Sequence, residues 1–365
     1  YGQARANFCK HAEEAGGALE SFRHPERGPD GGELFCDVAW FGSRRADQVL
    51  VLISGTHGVE GFCGSGAQTD LIRRGTLAEL PPNLGVLMIH AINPFGFAWL
   101  RRVTHENVDL NRNWLDFNGP LPDNPGYDEL SPMICPAQWD EESRVALTTA
   151  LDAFAARSGA RAAQWAMTAG QYRHPTGVYY GGTEPTWSRR TQEAIFASYL
   201  GAAKRIAIID YHTGLGPFGF GEKIVTQPRQ HPSFRRAMRW YGLAVTSSVD
   251  ESSSSSAIFG DGLAAAPSLL PHADVTAIAL EIGTLSSDQV MSAVLADAWL
   301  HAHGGIRSAQ YHAIKTQIRD AFYCDTDVWK GMVVAQSMLM CRQAVAGLLS
   351  NQNTLGQVRE AAVSA

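Results

Sequence analysis

Much that would mark a specialised class of protein is missing from this chain. No uninterrupted apolar run approaches the ~20 residues that a membrane-spanning helix needs, so no membrane partner is expected. Positive charge is not in excess. The 30 Lys and Arg against 36 Asp and Glu give a formal net charge of −6 and a pI near 6.1. That balance offers no electrostatic footprint for nucleic acid or an anionic lipid surface. The six cysteines (Cys9, Cys36, Cys63, Cys135, Cys324 and Cys341) have no metal-type pair spacing. In a chain this long they are expected to be free thiols, mostly buried. The first residues, Tyr1-Gly2-Gln3-Ala4-Arg5-Ala6-Asn7-Phe8-Cys9-Lys10, lack the apolar core of a secretory signal, and the expected location is cytoplasmic. No Gly-x-Ser-x-Gly elbow occurs, which argues against a serine hydrolase; Gly64-Ser65-Gly66 is not one. There is no internal repeat, and no linker that would split residues 1–365 into separate domains.

What is present suits a soluble α/β enzyme. Of the 365 residues 45% are hydrophobic and 18% charged, ordinary for a globular protein. Val49-Leu50-Val51-Leu52-Ile53 and Val86-Leu87-Met88-Ile89 are continuous apolar runs, as expected of interior strands covered by helices on both faces. Ile206-Ala207-Ile208-Ile209 and Ala277-Ile278-Ala279-Leu280 repeat that character further on. Residues 33–41 alternate like a strand. Helical periodicity covers residues 4–16, 63–74, 140–169 and 187–201, and much of 286–365, with 328–349 the longest helix. Residues 23–32 and 118–136, rich in proline and glycine, read as turns and loop. Five consecutive serines, Ser252 to Ser256, read as a mobile surface loop or, less readily, a lid over a cleft. The expected architecture is one three-layer α/β/α domain with a mixed, mainly parallel twisted sheet.

Four stretches fall where strands end, which is where open α/β sheets hold ligands. The first is Ser54-Gly55-Thr56-His57-Gly58-Val59-Glu60-Gly61. A His and a Glu three apart can turn a ring nitrogen and a carboxylate oxygen toward one point, as two ligands of a zinc ion. Alone the pair also suits a glycine-bent surface turn. The others are Asn107-Val108-Asp109-Leu110-Asn111-Arg112-Asn113, Asp210-Tyr211-His212-Thr213-Gly214 and Glu281-Ile282-Gly283-Thr284. Glu281, ending an apolar strand, is costly there without a task or partner. Asp210 suits either support of a ligand histidine or an internal hydrogen bond. His90, His105 and Asp109 read as structural.

Taken together and in this order, the four stretches resemble the zinc carboxypeptidases of the carboxypeptidase A superfamily. The Ser-Gly-Thr-His-Gly-Val-Glu-Gly and Asp-Leu-Asn-Arg-Asn motifs are similar to those of a functionally unassigned branch of it. The resemblance implies that His57, Glu60 and His212 bind one Zn²⁺ per chain, leaving a position open for water. It implies Glu281 as the general base that activates this water, and Asn111 and Arg112 as binders of a substrate carboxylate. Arg102 would steady the developing oxyanion, with Arg101 the lesser choice.

The implied activity is hydrolysis of an amide or peptide bond next to a free carboxylate, on a peptide or small-molecule substrate. The superfamily's deacylases share the asparagine and arginine, so an N-acyl amino acid is the alternative substrate. A non-catalytic binding protein on the same fold would not need all four metal and base residues. Residues 118–201 make the spacing from Glu60 to His212 longer than in the digestive enzymes, an insertion expected to shape the pocket. The tyrosine those enzymes bring over the substrate has no evident counterpart. Tyr172, Tyr179 and Tyr180 are candidates by type, Tyr180 joining the substrate-binding set.

Overall fold

The computed structural model describes residues 1–350. Eight strands run in the order β1 (Ala18–Arg27), β2 (Glu33–Gly42), β3 (Gln48–Ile53), β4 (Leu84–His90), β5 (Arg205–Thr213), β6 (Gly221–Val225), β7 (Val245–Ser247) and β8 (Asp274–Ile282). Helices α1 (Gly2–Glu14), α2 (Gly61–Arg73), α3 (Pro94–Ala98), α4 (Pro125–Ile134), α5 (Glu141–Ser158) and α6 (Ala160–Thr168) are followed by α7 (Trp187–Leu200), α8 (Pro232–Tyr241) and α9 (Gly262–Leu269). The chain ends in α10 (Ser287–Ala302), α11 (Tyr311–Phe322) and α12 (Asp327–Leu349). All strands join one sheet in the order β1-β2-β4-β3-β5-β8-β6-β7. β4, β3, β5 and β8 are mutually parallel, and β2 and β6 join this block antiparallel.

Strand periodicity divides the core. Leu50 and Leu52 of β3 face α1, α2, α8 and α12, while Val49, Val51 and Ile53 face α7 and α9. A third apolar cluster joins α4, α5 and α6 to α10 and α11, and includes Val59 of the motif. This is the three-layer α/β arrangement expected, with a mixed and mainly parallel sheet.

Local expectations fail where turn chemistry misled. Residues 23–27, expected as turn, extend β1, which pairs with β2 and carries Pro25 on the edge of the sheet. Within 118–136 the loop condenses into α4, started by Asn124, whose side chain accepts from the Tyr127 amide at 3.0 Å. The helical stretch 140–169 breaks at Gly159, where φ is +94°, into α5 and α6. β6, α8, β7 and α9 lie in a region where sequence periodicity marked no elements. The helical reading of 351–365 lies outside the described residues.

All six cysteines are free, and Cys36, Cys63 and Cys341 are buried. Contrary to the expectation of no membrane-length segment, α12 is long and apolar enough to cross a membrane, with a mean hydropathy of 1.4 over 18 residues. Charged residues interrupt it, which is why no apolar run stood out. One side of it is core: Trp329, Val333, Met340, Ala344 and Leu348 are buried with the sheet, and Trp329 Nε1 donates to the Gly283 carbonyl at 2.9 Å.

His90, ending β4, is fully buried, stacks on Phe8 at 4.4 Å and meets Ser65 Oγ through Nε2 at 2.8 Å. Burial lowers its pKa to about 4. The folded pKa lies below the unfolded one, so as pH falls from ~6.5 the unfolded chain takes the proton first, and stability drops until about pH 4. His90→Gln should therefore lose less stability than the parent between pH 7 and 5.5, by about 1 kcal/mol in urea unfolding. Parallel losses in both proteins would refute it.

Candidate metal centre

The parallel strands β3, β5 and β8 deliver their ends to one edge, and the motif residues meet there. His57 follows β3, and the chain turns through Gly58 to Glu60 into α2. Gly58 is required by contact: a Cβ there would lie 2.1 Å from the Gly96 carbonyl carbon. The Gly58 and Val59 amides donate to the carbonyls of Arg102 and Arg101 at 3.1 and 2.8 Å, joining this turn to the arginine loop. β5 brings Asp210 and His212, and β8 brings Glu281 beside His212 in register.

His57 Nδ1 lies 2.9 Å from Glu60 Oε1 and 3.2 Å from His212 Nδ1, which is 3.3 Å from Glu60 Oε2. Ligand atoms of the three side chains lie within 4.8 Å of one another, all buried. The outward nitrogens are held as well. His212 Nε2 meets Asp210 Oδ2 at 2.9 Å, and Thr56 Oγ1 bonds that carboxylate. His57 Nε2 lies 3.2 Å from Asp109 Oδ1 and 2.8 Å from Arg102 Nη2. In neutral His212, donation from Nε2 leaves the Nδ1 lone pair facing the trio. Two ring nitrogens and a carboxylate converging on one buried point present electron pairs to each other, an arrangement that a cation satisfies. The residues fit a zinc site of the His, Glu, His type.

The electrostatics point the same way. His212 is raised well above the usual histidine range: burial opposes its charge, but Asp210 and Glu60 outweigh burial. Glu60 is lowered, its burial cost overcome by the charge of His57 and by hydrogen bonds from both histidines. Asp109, fully buried, is held well below the carboxylate range against burial, chiefly by Arg102 and Arg112. Glu281 is pushed up to about 8 by burial and by the Glu60 charge, with His212 opposing. Its Oε1 accepts the Leu215 amide at 3.0 Å.

A cavity of about 580 Å³ opens over this centre, lined by His57, Glu60, His212, Glu281, Arg102, Asn111 and Arg112 among others. Arg102 bonds Asp109 at 2.9 Å and Glu60 at 3.1 Å. Arg112 gives Nε and Nη2 to the Thr168 carbonyl at 3.1 and 2.6 Å, and Nη1 to the Asn111 carbonyl at 3.0 Å. Of its five N–H groups, one on each terminal nitrogen is left for a ligand. The Asn111 side-chain oxygen accepts from Gly262, leaving its NH₂ to the cavity.

Two candidates lie elsewhere. Arg101 turns from the cavity into a buried charge cluster, bonding Asp297 at 3.2 Å and Asn107 at 2.8 Å, with Lys315 on the same Asp297. Tyr180 does not line the cavity; its carbonyl accepts from the Asp109 amide at 2.8 Å. Its neighbour Tyr179 does, with φ at +55° and its ring 5.4 Å from the Arg102 guanidinium and 5.2 Å from that of Arg112. The left-handed turn at Tyr179 sets the two side chains apart, and nothing in the sequence favoured one. Tyr172 instead donates to the Arg112 carbonyl at 2.7 Å.

Asp109, read as structural, touches His57 of the candidate centre; its place beside Asn111 and Arg112 in one motif was the available signal. His90 and His105 stand apart, at Ser65 and Glu106. The serine run lines the cavity at Ser254, Ser255 and Ser256, and Ser254 is tied to the buried carboxylate of Glu222.

Fold and site define an α/β protein with a buried His, Glu, His centre at the ends of parallel strands. The chain belongs to the family described as a protein of unknown function, DUF2817, whose model matches residues 1–336. No curated protein matches it. Among solved structures it is similar to carboxypeptidase A from Helicoverpa armigera, at 12% identity and TM-score 0.48, covering 95% of this chain and 73% of that one. It is also similar to an aspartoacylase family protein from Mesorhizobium loti, at 14% identity and TM-score 0.38, covering 80% and 68%. A third is murein-tripeptide amidase MpaA from Escherichia coli O157, at 15% identity and TM-score 0.32, covering 83% and 92%.

Zinc-reconstituted protein should retain about one metal per chain against a weak chelator, and His212→Ala should retain none. Asp210→Asn should bind about 10–100-fold more weakly in a competitive metal titration. A parent protein that holds no zinc would rule out the centre.

Proposed function

We propose that this protein is a zinc-dependent hydrolase of an amide or peptide bond beside a free carboxylate. The observation that carries the reading is the convergence of His57, Glu60 and His212 beside a proton-accepting carboxylate and two arginines in one cavity. A zinc ion held by the three ligands would supply Lewis-acid polarisation of the carbonyl and acidify the attacking water.

The chain's own residues supply the rest. Glu281, held by the Leu215 amide, takes a proton from the nucleophile and returns it to the leaving nitrogen. Arg102, fixed by Asp109 and Glu60, brings positive charge toward the carbonyl oxygen as that oxygen turns negative. The free N–H groups of Arg112 and the NH₂ of Asn111 hold the substrate carboxylate, and so set which amide reaches Glu281.

A second reading within the same chemistry, a deacylase of N-acyl amino acids, is favoured by the cavity. Its volume of about 580 Å³ suits a small molecule, and residues of α5 and α6 line it.

Glu281→Gln should keep its zinc and lose on the order of 10²–10⁴ in kcat; unchanged turnover would remove Glu281 from the mechanism. Amidating the substrate's carboxyl should raise KM for the parent at least about tenfold through loss of a charge-assisted bond, and equal KM values would remove Arg112 as its reader.

A further inference from the structure

The cavity has two chemically distinct sides. One is polar and carries the carboxylate readers. Asn111 is bonded to Gly262, and the Trp114 amide donates to Gly260 at 3.1 Å, so the arginine loop is tied to the segment that follows the serine run. Ser254, Ser255, Ser256, Thr226 and Ser248 line this side. Glu222 holds it in shape, accepting from Ser254 and, at 2.6 Å, from Thr246.

The other side is mainly apolar, with the exposed polar residues Asp152, Gln164, Ser287 and Asp288 also in its lining. Leu151 and Ala155 of α5, Val290, Met291 and Val294 of α10, and Phe322 of α11 face the cavity. They belong to or pack on the cluster that contains Val59, which precedes Glu60 in the motif. Leu151, Ala155 and Met291 are only half-buried, so their apolar surface is open to whatever fills the space. Tyr179 is in contact with both sides: its ring lies within 5.4 Å of both guanidiniums, and its hydroxyl has Met291 Sδ as partner at 3.8 Å. α6 spans both sides, giving the Thr168 carbonyl to Arg112 and Met167 to the apolar lining.

An amide seated at the metal ligands with its carboxylate on the polar side turns its acyl group to the apolar one. We infer that the substrate is an N-acyl amino acid with a medium-length aliphatic acyl chain, received by the wall of α5 and α10. The inference rests on the hydrolase reading above and names its substrate class. Water against this wall is released when a methylene chain covers it, worth about fourfold in kcat/KM per methylene buried. Ile224, Ile258 and Leu263 also line the cavity near the serines, so the loss of chain-length dependence in α5 and α10 variants is what assigns the preference to the acyl side.

The test is a series of acetyl-, hexanoyl- and octanoylglycine with zinc-loaded protein, in the parent, Ala155→Trp and Met291→Ala, each variant checked for an unchanged melting curve. A rise in kcat/KM of at least about tenfold from acetyl to octanoyl, collapsing in Ala155→Trp and shrinking in Met291→Ala, is the expected result. Should Ala155→Trp fail to fold, Met291→Ala carries the comparison. Turnover of acetylglycine with a flat or falling trend along the series overturns the inference and leaves the hydrolase reading standing. If no member is hydrolysed, peptide hydrolysis stays with the reading above, and calorimetric titration decides the acyl wall. Octanoylglycine binding at least about tenfold tighter than acetylglycine, and weakened by Met291→Ala, upholds the wall; equal affinities overturn it.

Discussion

Four carboxylates crowd one buried point, and the organisation of this protein follows from the need to compensate them. Glu60, Asp109, Asp210 and Glu281 are each 7% exposed or less. Burying one unpaired carboxylate is already unfavourable by several kcal/mol, and like charges nearby add to it. Arg102 and Arg112 offset part of the charge, and two histidines are placed so that added positive charge is shared with Asp109 and Asp210. With all four acids ionised, two negative charges are left over, which one divalent cation at the ligand trio would balance. The raised His212 and Glu281 express the same demand within the chain's own groups.

The sheet makes that concentration of charge affordable by holding its parts rigidly. β3, β5 and β8 are adjacent and parallel, so residues distant in sequence end at one level. His57 is carried past the strand end by a turn that only glycine at position 58 permits, because the backbone at Gly96 passes so close. Hydrogen bonds from that turn to the Arg101 and Arg102 carbonyls couple His57 and Glu60 to the arginine loop. The buried cluster of Arg101, Asp297 and Lys315 braces this loop from behind. Arg101 thus supports the centre without facing the cavity.

Residues 118–201 supply what the strands do not. α5 and α6 wall the cavity, and the Thr168 carbonyl takes two of the N–H groups of Arg112. The loop before α7 brings in Tyr179 with a backbone conformation unusual for a residue with a side chain. Strain of that kind persists where surrounding contacts over-determine it, here the bond from Asp109 to the Tyr180 carbonyl and the flanking arginines.

The apolar runs 49–53, 206–209 and 277–280 determined interior strands by themselves, since such runs have no other way to leave water in an α/β chain. The motifs at their ends likewise determined which residue types could meet a metal, because ligand chemistry is written in side-chain identity. Elements made by local capping, such as α4 behind Asn124, or by edge pairing, such as β1, β6 and β7, left weaker traces. α4 packs on α5 and α6, and β6 pairs with β8, contacts that periodicity does not display. Only the tertiary structure showed that Arg102 and Tyr179 line the cavity while Arg101 and Tyr180 do not. Each pair is chemically alike and adjacent, and what separates its members is direction in space. It alone also showed that Asp109 meets His57 and that one side of the cavity is mainly apolar, since both depend on contacts between distant segments that no local pattern encodes.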